Sequence, residues 1–291
     1  MYPGGTTTLA GRPVARVGFG AMLLAEGFGR PVVEEDTAVA ILRAAVDGGV
    51  NHIDTAQFYG PGTANELIRT ALHPYPDGLT LVSKVGAEHV PGGLALAQRP
   101  QQLRAAVEAN LTTLGVDQLA VVNLRRADAP PGIIAEGDQR VDLDSQLAEL
   151  AALRDEGKIG GIGLSNVSAE QLRHALPVGI ACVQNAHSPV DRTSEPVLDL
   201  CREHGVPWVP FFPLGSAFPG AAKVVEQPAV RAAASRLGVT PAQVALAWHL
   251  AHYEHTLLIP GTTNPAHLRE NLAAGAVVLD ADTKAALDAL V

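Results

Sequence analysis

The feature that most constrains this chain is a repeated pattern: a short apolar run, a turn, then a longer segment whose apolar residues recur at helical spacing. Strand-like runs lie at 17–21, 50–55, 79–84, 119–124, 159–164, 181–184, 206–210 and 256–259, and amphipathic segments at 36–47, 100–114, 142–156, 169–175 and 195–204. Strands alternating with helices form parallel sheets, and eight such units close into a (β/α)8 TIM barrel, an α/β fold. Glycine and proline around Gly11-Arg12-Pro13 predict an N-terminal β-hairpin ahead of the repeat, and segments 241–253 and 281–290 predict extra helices. The loop 126–141 is long enough to be either a lid or disordered. No linker or shift of composition interrupts residues 1–291, so one domain is expected. An open dinucleotide-binding sheet would want a G-x-G-x-x-G turn after its first strand. Gly18-Phe19-Gly20 lacks that spacing, and its glycines read instead as a close approach to a ligand or another chain.

With 291 residues, 47% of them hydrophobic, the chain can bury a large core. Its net charge of −9 and the absence of a basic run argue against a nucleic-acid partner. Two cysteines, Cys182 and Cys201, imply neither a disulfide framework nor a cysteine metal cluster, and fit a reducing cytoplasm. No run of eighteen apolar residues predicts a membrane span, and no export signal opens the sequence. His52 reads as a core or interface group, His187 and His204 as isolated. No pair of histidines has the spacing of a zinc site, so no catalytic metal is expected.

The chemistry concentrates in Asn51-His52-Ile53-Asp54-Thr55-Ala56-Gln57-Phe58-Tyr59-Gly60, which ends a strand by presenting a carboxylate and a phenol, and in Lys84, which closes the next run. Taken singly, such an aspartate caps a helix, such a tyrosine packs and such a lysine is solvated. All three, however, terminate strand-like runs at the carboxyl end, where parallel barrels keep their active sites. A free phenol titrates near about 10. An ammonium beside it favours the phenolate, while a carboxylate keeps that ammonium charged and fixed, so Tyr59 is expected to serve as a general acid.

From about Val14 to the last helix the chain resembles the aldo-keto reductases. Besides Asp54, Tyr59 and Lys84, the likeness rests on Gly163-Leu164-Ser165-Asn166, Val183-Gln184-Asn185, Phe211-Phe212-Pro213-Leu214-Gly215 and Ile259-Pro260-Gly261-Thr262, in order at successive strand ends. It implies reduction of a small carbonyl substrate with NADPH lying across the barrel mouth. Ser165, Asn166 and Gln184 would bond the nicotinamide carboxamide and Phe211 would stack on its ring. Gly20, Met22, Pro213, Leu214, Gly215, Ser216, Gly261, Thr262, Thr263, His267, Glu270 and Asn271 would line the remainder. Thr262-Thr263-Asn264-Pro265 reads as a helix start suited to an anion, the adenosine phosphate by this resemblance.

Three departures stand out. Phe211 replaces a common tyrosine, and Gly261 and His267 stand where a lysine and an arginine often hold the phosphate. The NADPH preference is then expected to narrow as His267 loses its proton above about 6.5. Arg125, in Val121-Val122-Asn123-Leu124-Arg125, occupies the place of the usual catalytic histidine; it stays charged and would favour an anionic substrate, unless it pairs with a loop acid. Within the family this run is most similar to the bacterial branch that reduces pyridoxal to pyridoxine. The alternatives are a ketoreductase for a keto sugar or polyketide intermediate, and a non-catalytic NADPH-binding subunit.

Overall fold

The computed structural model describes residues 2–26, 33–215 and 222–291. A hairpin of β1 (Thr6–Leu9) and β2 (Arg12–Ala15) opens the chain. Its two turn residues, Ala10 and Gly11, both have positive φ, 48° and 76°, the arrangement whose twist suits a two-residue hairpin. Leu9 and Val14 then pack against Val82, Val121, Cys182, Val209 and Leu257, so the hairpin plugs one end of the barrel.

Six parallel staves follow: β3 (Phe19–Gly20), β4 (His52–Asp54), β5 (Thr80–Val85), then, after a small hairpin β6 (Ala87–Val90) and β7 (Gly93–Leu96), β8 (Val121–Arg125), β9 (Ile162–Ser165) and β10 (Ile180–Gln184). The expected strands at 206–210 and 256–259 are reduced to single bridges, Trp208 with Val183 and Thr256, and Leu258 with Val17. Their backbone bonds nonetheless close the cylinder: Val209 N–H donates to Val183 O (2.8 Å), Leu257 N–H to Trp208 O (2.8 Å) and Gly18 N–H to Leu258 O (2.8 Å). Pro207, Pro210 and Pro260 lack the N–H that a longer ladder needs. The glycines of Gly18-Phe19-Gly20 are closely approached by this chain itself. A side chain at Gly18 would run into the His52 ring, and one at Gly20 would lie 2.5 Å from Ile259 O.

Around the staves lie α1 (Glu35–Asp47), α2 (Thr63–Leu72), α3 (Pro100–Leu114), α4 (Leu143–Asp155), α5 (Ala169–Ala175), α6 (Glu195–His204), α7 (Pro228–Leu237), α8 (Pro241–His252), α9 (Pro265–Ala273) and α10 (Ala281–Asp288). Local chemistry sets many of their ends. Asp142, Ser168, Thr240 and Asp280 accept N-terminal amide protons, and Gly115, Gly205 and Gly238 end helices in the left-handed region. Helix α8 buries every residue from Gln243 to His249, and α10 packs on α7, so both extra helices are present. The loop 126–141 follows a defined path. Arg126 donates to Asp128 (2.8 and 3.0 Å), to Val141 O (3.0 Å) and to Gln146, which pins both ends of the loop to α4.

Candidate active site

Asp54, Arg125, Ser165 and Gln184 are each the last residue of a stave, and Lys84 is one residue short of the end of β5. Parallel pairing puts these ends at one mouth, with Arg125 registered to Ser165 and Ser165 to Gln184. Lys84 Nζ donates to Asp54 Oδ1 and to Thr55 O (3.1 Å), and stands 4.9 Å from the centre of the Tyr59 ring. The three groups are 6%, 2% and 8% exposed, so they face one another in a medium that screens little. Burial opposes the ammonium, but Asp54 and Tyr59 outweigh it and hold Lys84 above its ordinary value.

Tyr59 sits on the turn between β4 and α2, and a polar network fixes that turn from behind. Thr55 Oγ1 donates to Asn65 Oδ1 (2.8 Å), Asn65 Nδ2 to Gln57 Oε1 (2.8 Å) and Asn110 Oδ1 (2.9 Å), and Ser83 Oγ to Asn110 Oδ1 (2.6 Å). Sequence reading missed Asn65 and Asn110. The available signal was an asparagine on the apolar face of each of two helices, where only a buried partner makes it tolerable.

Arg125 donates to Pro131 O (2.6 Å) and Ser165 Oγ (3.4 Å), and its guanidinium lies 5.4 Å from the Phe211 ring centre. It forms no ion pair among the described residues; the loop acid Asp128 is taken by the neighbouring Arg126. Burial lowers the Arg125 value while Tyr59 pulls the other way. A cation thus stands at the mouth with no counter-ion of its own.

The expected carboxamide ligands are already partly engaged. Gln184 Nε2 donates to Asp54 Oδ2 (2.6 Å), Asn166, at φ 58°, donates to Ala129 O (2.7 Å), and the Ser165 hydroxyl accepts from Arg125. Gln184 Oε1 is buried without a partner. Phe211 bridges to Ala186, and His249 reaches Pro213 O (3.3 Å), which holds the loop through Leu214 to Gly215. Gly215 backs onto the Ala222 carbonyl, and the expected Ser216 lies outside the described residues. Gly20 and Gly261 meet backbone to backbone, a contact that no side chain could enter, and Met22 is half-buried on the adjoining turn. The predicted helix start is α9, with Asn264 as cap and Pro265 first. Two of its amides are already satisfied, Asn264 N–H by Thr262 Oγ1 (3.0 Å) and Ala266 N–H by Asn264 Oδ1 (2.8 Å). Thr263 is half-buried beside this start, His267 is exposed, Glu270 is half-buried and Asn271 is buried.

His187 is not isolated. Its Nε2 and that of His252 both meet Glu195, at 2.8 and 2.7 Å, and the ring packs against Trp208, Trp248 and His249. His187, Glu195 and His252 thus offer three converging ligand atoms, but Arg202 also donates to Glu195, at 3.2 Å, so the carboxylate is already shared by three donors. His252, 57 residues from Glu195, completes this cluster, and helix periodicity does not reveal it.

A model described as the aldo/keto reductase family matches residues 16–291. The chain belongs to that family. It is 41% identical over 288 residues to pyridoxine 4-dehydrogenase of Escherichia coli (strain K12), with 98% of each chain covered. Two Klebsiella pneumoniae aldo-keto reductases share the fold, each with a TM-score of 0.80. One, crystallised with NADPH, is 28% identical, with 98% of this chain and 94% of that one covered. The other, crystallised with NADP and acetate, is 27% identical, with 100% and 95% covered. This aldo/keto reductase is therefore an oxidoreductase acting on carbonyl or CH–OH groups, with the family's (β/α)8 barrel. Among the described residues, no helix is long and apolar enough to cross a membrane.

Proposed function

We propose that this aldo/keto reductase uses NADPH to reduce an aldehyde to an alcohol, with pyridoxal as the substrate that the site supports best. Residues 1–291 act as one catalytic barrel, and the two buried free thiols suit the cytoplasm. The observation that carries the substrate reading is Arg125, a half-buried guanidinium beside Tyr59 and Phe211 that has no counter-ion among the described residues. Pyridoxal has a readily ionised ring hydroxyl next to its aldehyde, and an oxyanion there complements a fixed guanidinium. The 41% identity to a pyridoxine 4-dehydrogenase supports the same choice.

The residues present fit a nicotinamide cofactor. Gln184 Oε1 is a buried acceptor in want of a donor, Phe211 offers a ring face, and the α9 start with Thr262, Thr263, His267 and Arg269 offers donors for a phosphate. Bound there, NADPH supplies the hydride. Tyr59 gives its proton to the carbonyl oxygen, Lys84 takes up the charge left on the phenol oxygen, and Asp54 keeps the ammonium in place. Arg125 fixes the substrate oxygen and Phe211 shields the reacting face from water.

The test follows NADPH oxidation with pyridoxal and with a neutral aromatic aldehyde, in wild type and Arg125→His. Loss of a charged hydrogen bond should lower kcat/KM for pyridoxal by about 10- to 100-fold more than for the neutral aldehyde. Equal losses would remove Arg125 from substrate choice, and no activity on any aldehyde would remove the reductase reading.

A further inference from the structure

We propose that Gln184 is a positioning residue for the Asp54–Lys84 pair, and that the cofactor's carboxamide is coupled to that pair through the two ends of this one amide. The proposal rests on the NADPH reading above.

Asp54 leaves the second stave and Gln184 the sixth, so their bond crosses the inside of the barrel. Gln184 Nε2 donates to Asp54 Oδ2 at 2.6 Å, while Lys84 holds Oδ1. An ionised carboxylate only accepts, so it forbids the flipped amide, which would point oxygen at oxygen. The orientation of Gln184 is therefore set by Asp54, and the end it turns away must be the acceptor. That end, Oε1, is buried without a partner. An unpaired buried carbonyl calls for an N–H donor. The NH2 of a carboxamide is such a donor, and Ser165, in register beside Gln184, stands next to it.

Two consequences follow. The rotation of the bound carboxamide is dictated by the ion pair, since only its nitrogen end can meet Oε1. Conversely, a seated carboxamide fixes Gln184 and, through it, the carboxylate that holds Lys84 under Tyr59. An N–H bond to a carboxylate favours its charged form, so a pH profile reports whether the Gln184 bond, at Oδ2 of Asp54, acts on the pair that Lys84 makes at Oδ1.

Other titratable groups near Asp54 do not compete for this signal. His52, on the same strand, is held down to about 4 by burial, Cys182 on β10 is pushed far up by burial, and Lys84 lies above its ordinary value. None of the three changes charge between about pH 5 and 9.

The experiment compares wild type with Gln184→Met and Gln184→Glu, measuring the NADPH Kd by fluorescence and kcat for aldehyde reduction at saturating NADPH from pH 5 to 9. For Gln184→Met, Kd should rise about tenfold and the acid limb of kcat should move up by about one pH unit. For Gln184→Glu, the limb should move further, because two carboxyl groups then share one site. Two outcomes overturn the proposal: a raised Kd with the acid limb unmoved in both variants, which leaves a cofactor contact only, or a uniform loss of kcat at every pH together with a lower Tm, which leaves a packing role only. A wild type that binds no NADPH would fail at the earlier step and overturn the cofactor reading itself.

Discussion

Two regions of this barrel bury charge, and they settle it in opposite ways. At the mouth, Asp54 is balanced by Lys84 and Gln184, but among the described residues Arg125 has no counter-ion and Gln184 Oε1 no donor. Between α6 and α8, the single carboxylate of Glu195 is shared by His187, His252 and Arg202, with Trp248 stacked on His252 at 4.3 Å between ring centres. At the mouth the unpaired groups are those the expected ligand would meet; in the second cluster the carboxylate takes three donors, while His187 Nδ1 and His252 Nδ1 are buried without hydrogen-bond partners among the described residues. A carboxylate shared by donors from separate elements holds those elements together.

That contrast can be broken by experiment. The largest effect belongs to the mouth: Tyr59→Phe should lower kcat for aldehyde reduction by about 10³-fold, within the usual range for a lost general acid, while the Tm stays within a few degrees of wild type. Steady-state kinetics beside a thermal melt would check it, and unimpaired turnover would remove Tyr59 from the chemistry.

The mirror experiment is Glu195→Gln. Burial raises the carboxyl group's value, but the histidines more than reverse this and leave it far below the ordinary range. Its side chain is 27% exposed, so the lost bonds should lower stability by only about 2 kcal/mol. Urea unfolding would report that loss. A large fall in kcat/KM for the folded variant would instead make the cluster part of the site.

Acidification should sharpen the same comparison. Burial holds His52 down to about 4 and also depresses His187 and His249. A depressed histidine binds its proton in the unfolded chain first, so its contribution is complete above the ordinary value and is lost as pH falls from about 6.5 toward the folded value. For His52 that amounts to about 2 kcal/mol between pH 7.5 and 5 by linkage. His52→Asn should flatten the fall in urea midpoint over that range, and an unchanged slope would discard the assignment.

The smallest effect concerns the cofactor's far end. His267 is exposed, so His267→Ala should lower the NADPH-to-NADH ratio of kcat/KM by only a few fold. An unchanged ratio in the variant would exclude the histidine.

Much of the mouth was legible beforehand because its parts are local. A carboxylate at the end of an apolar run, a lysine near the end of the next and an arginine at the end of the fourth are fixed by strand periodicity, and the parallel fold then carries all three to one rim. Helix periodicity is equally local, and seven helices fell within two residues of their expected bounds. The weak closing staves were not legible, because their proline content limits a ladder that the apolar pattern still predicts.

By itself, then, the sequence determined the order of strands and helices and the rim at which the acid, phenol, lysine and arginine gather, since 2- and 3.6-residue periods and capping act over a few neighbouring positions. Only the tertiary structure decided that Gln184 holds Asp54 across the barrel, that Asp128 goes to Arg126 and leaves Arg125 without an ion pair among the described residues, and that His252, 57 residues away, joins His187 and Arg202 at Glu195. The reason is geometric: such contacts depend on how the cylinder closes and on which face each side chain then presents, and no local period carries that information.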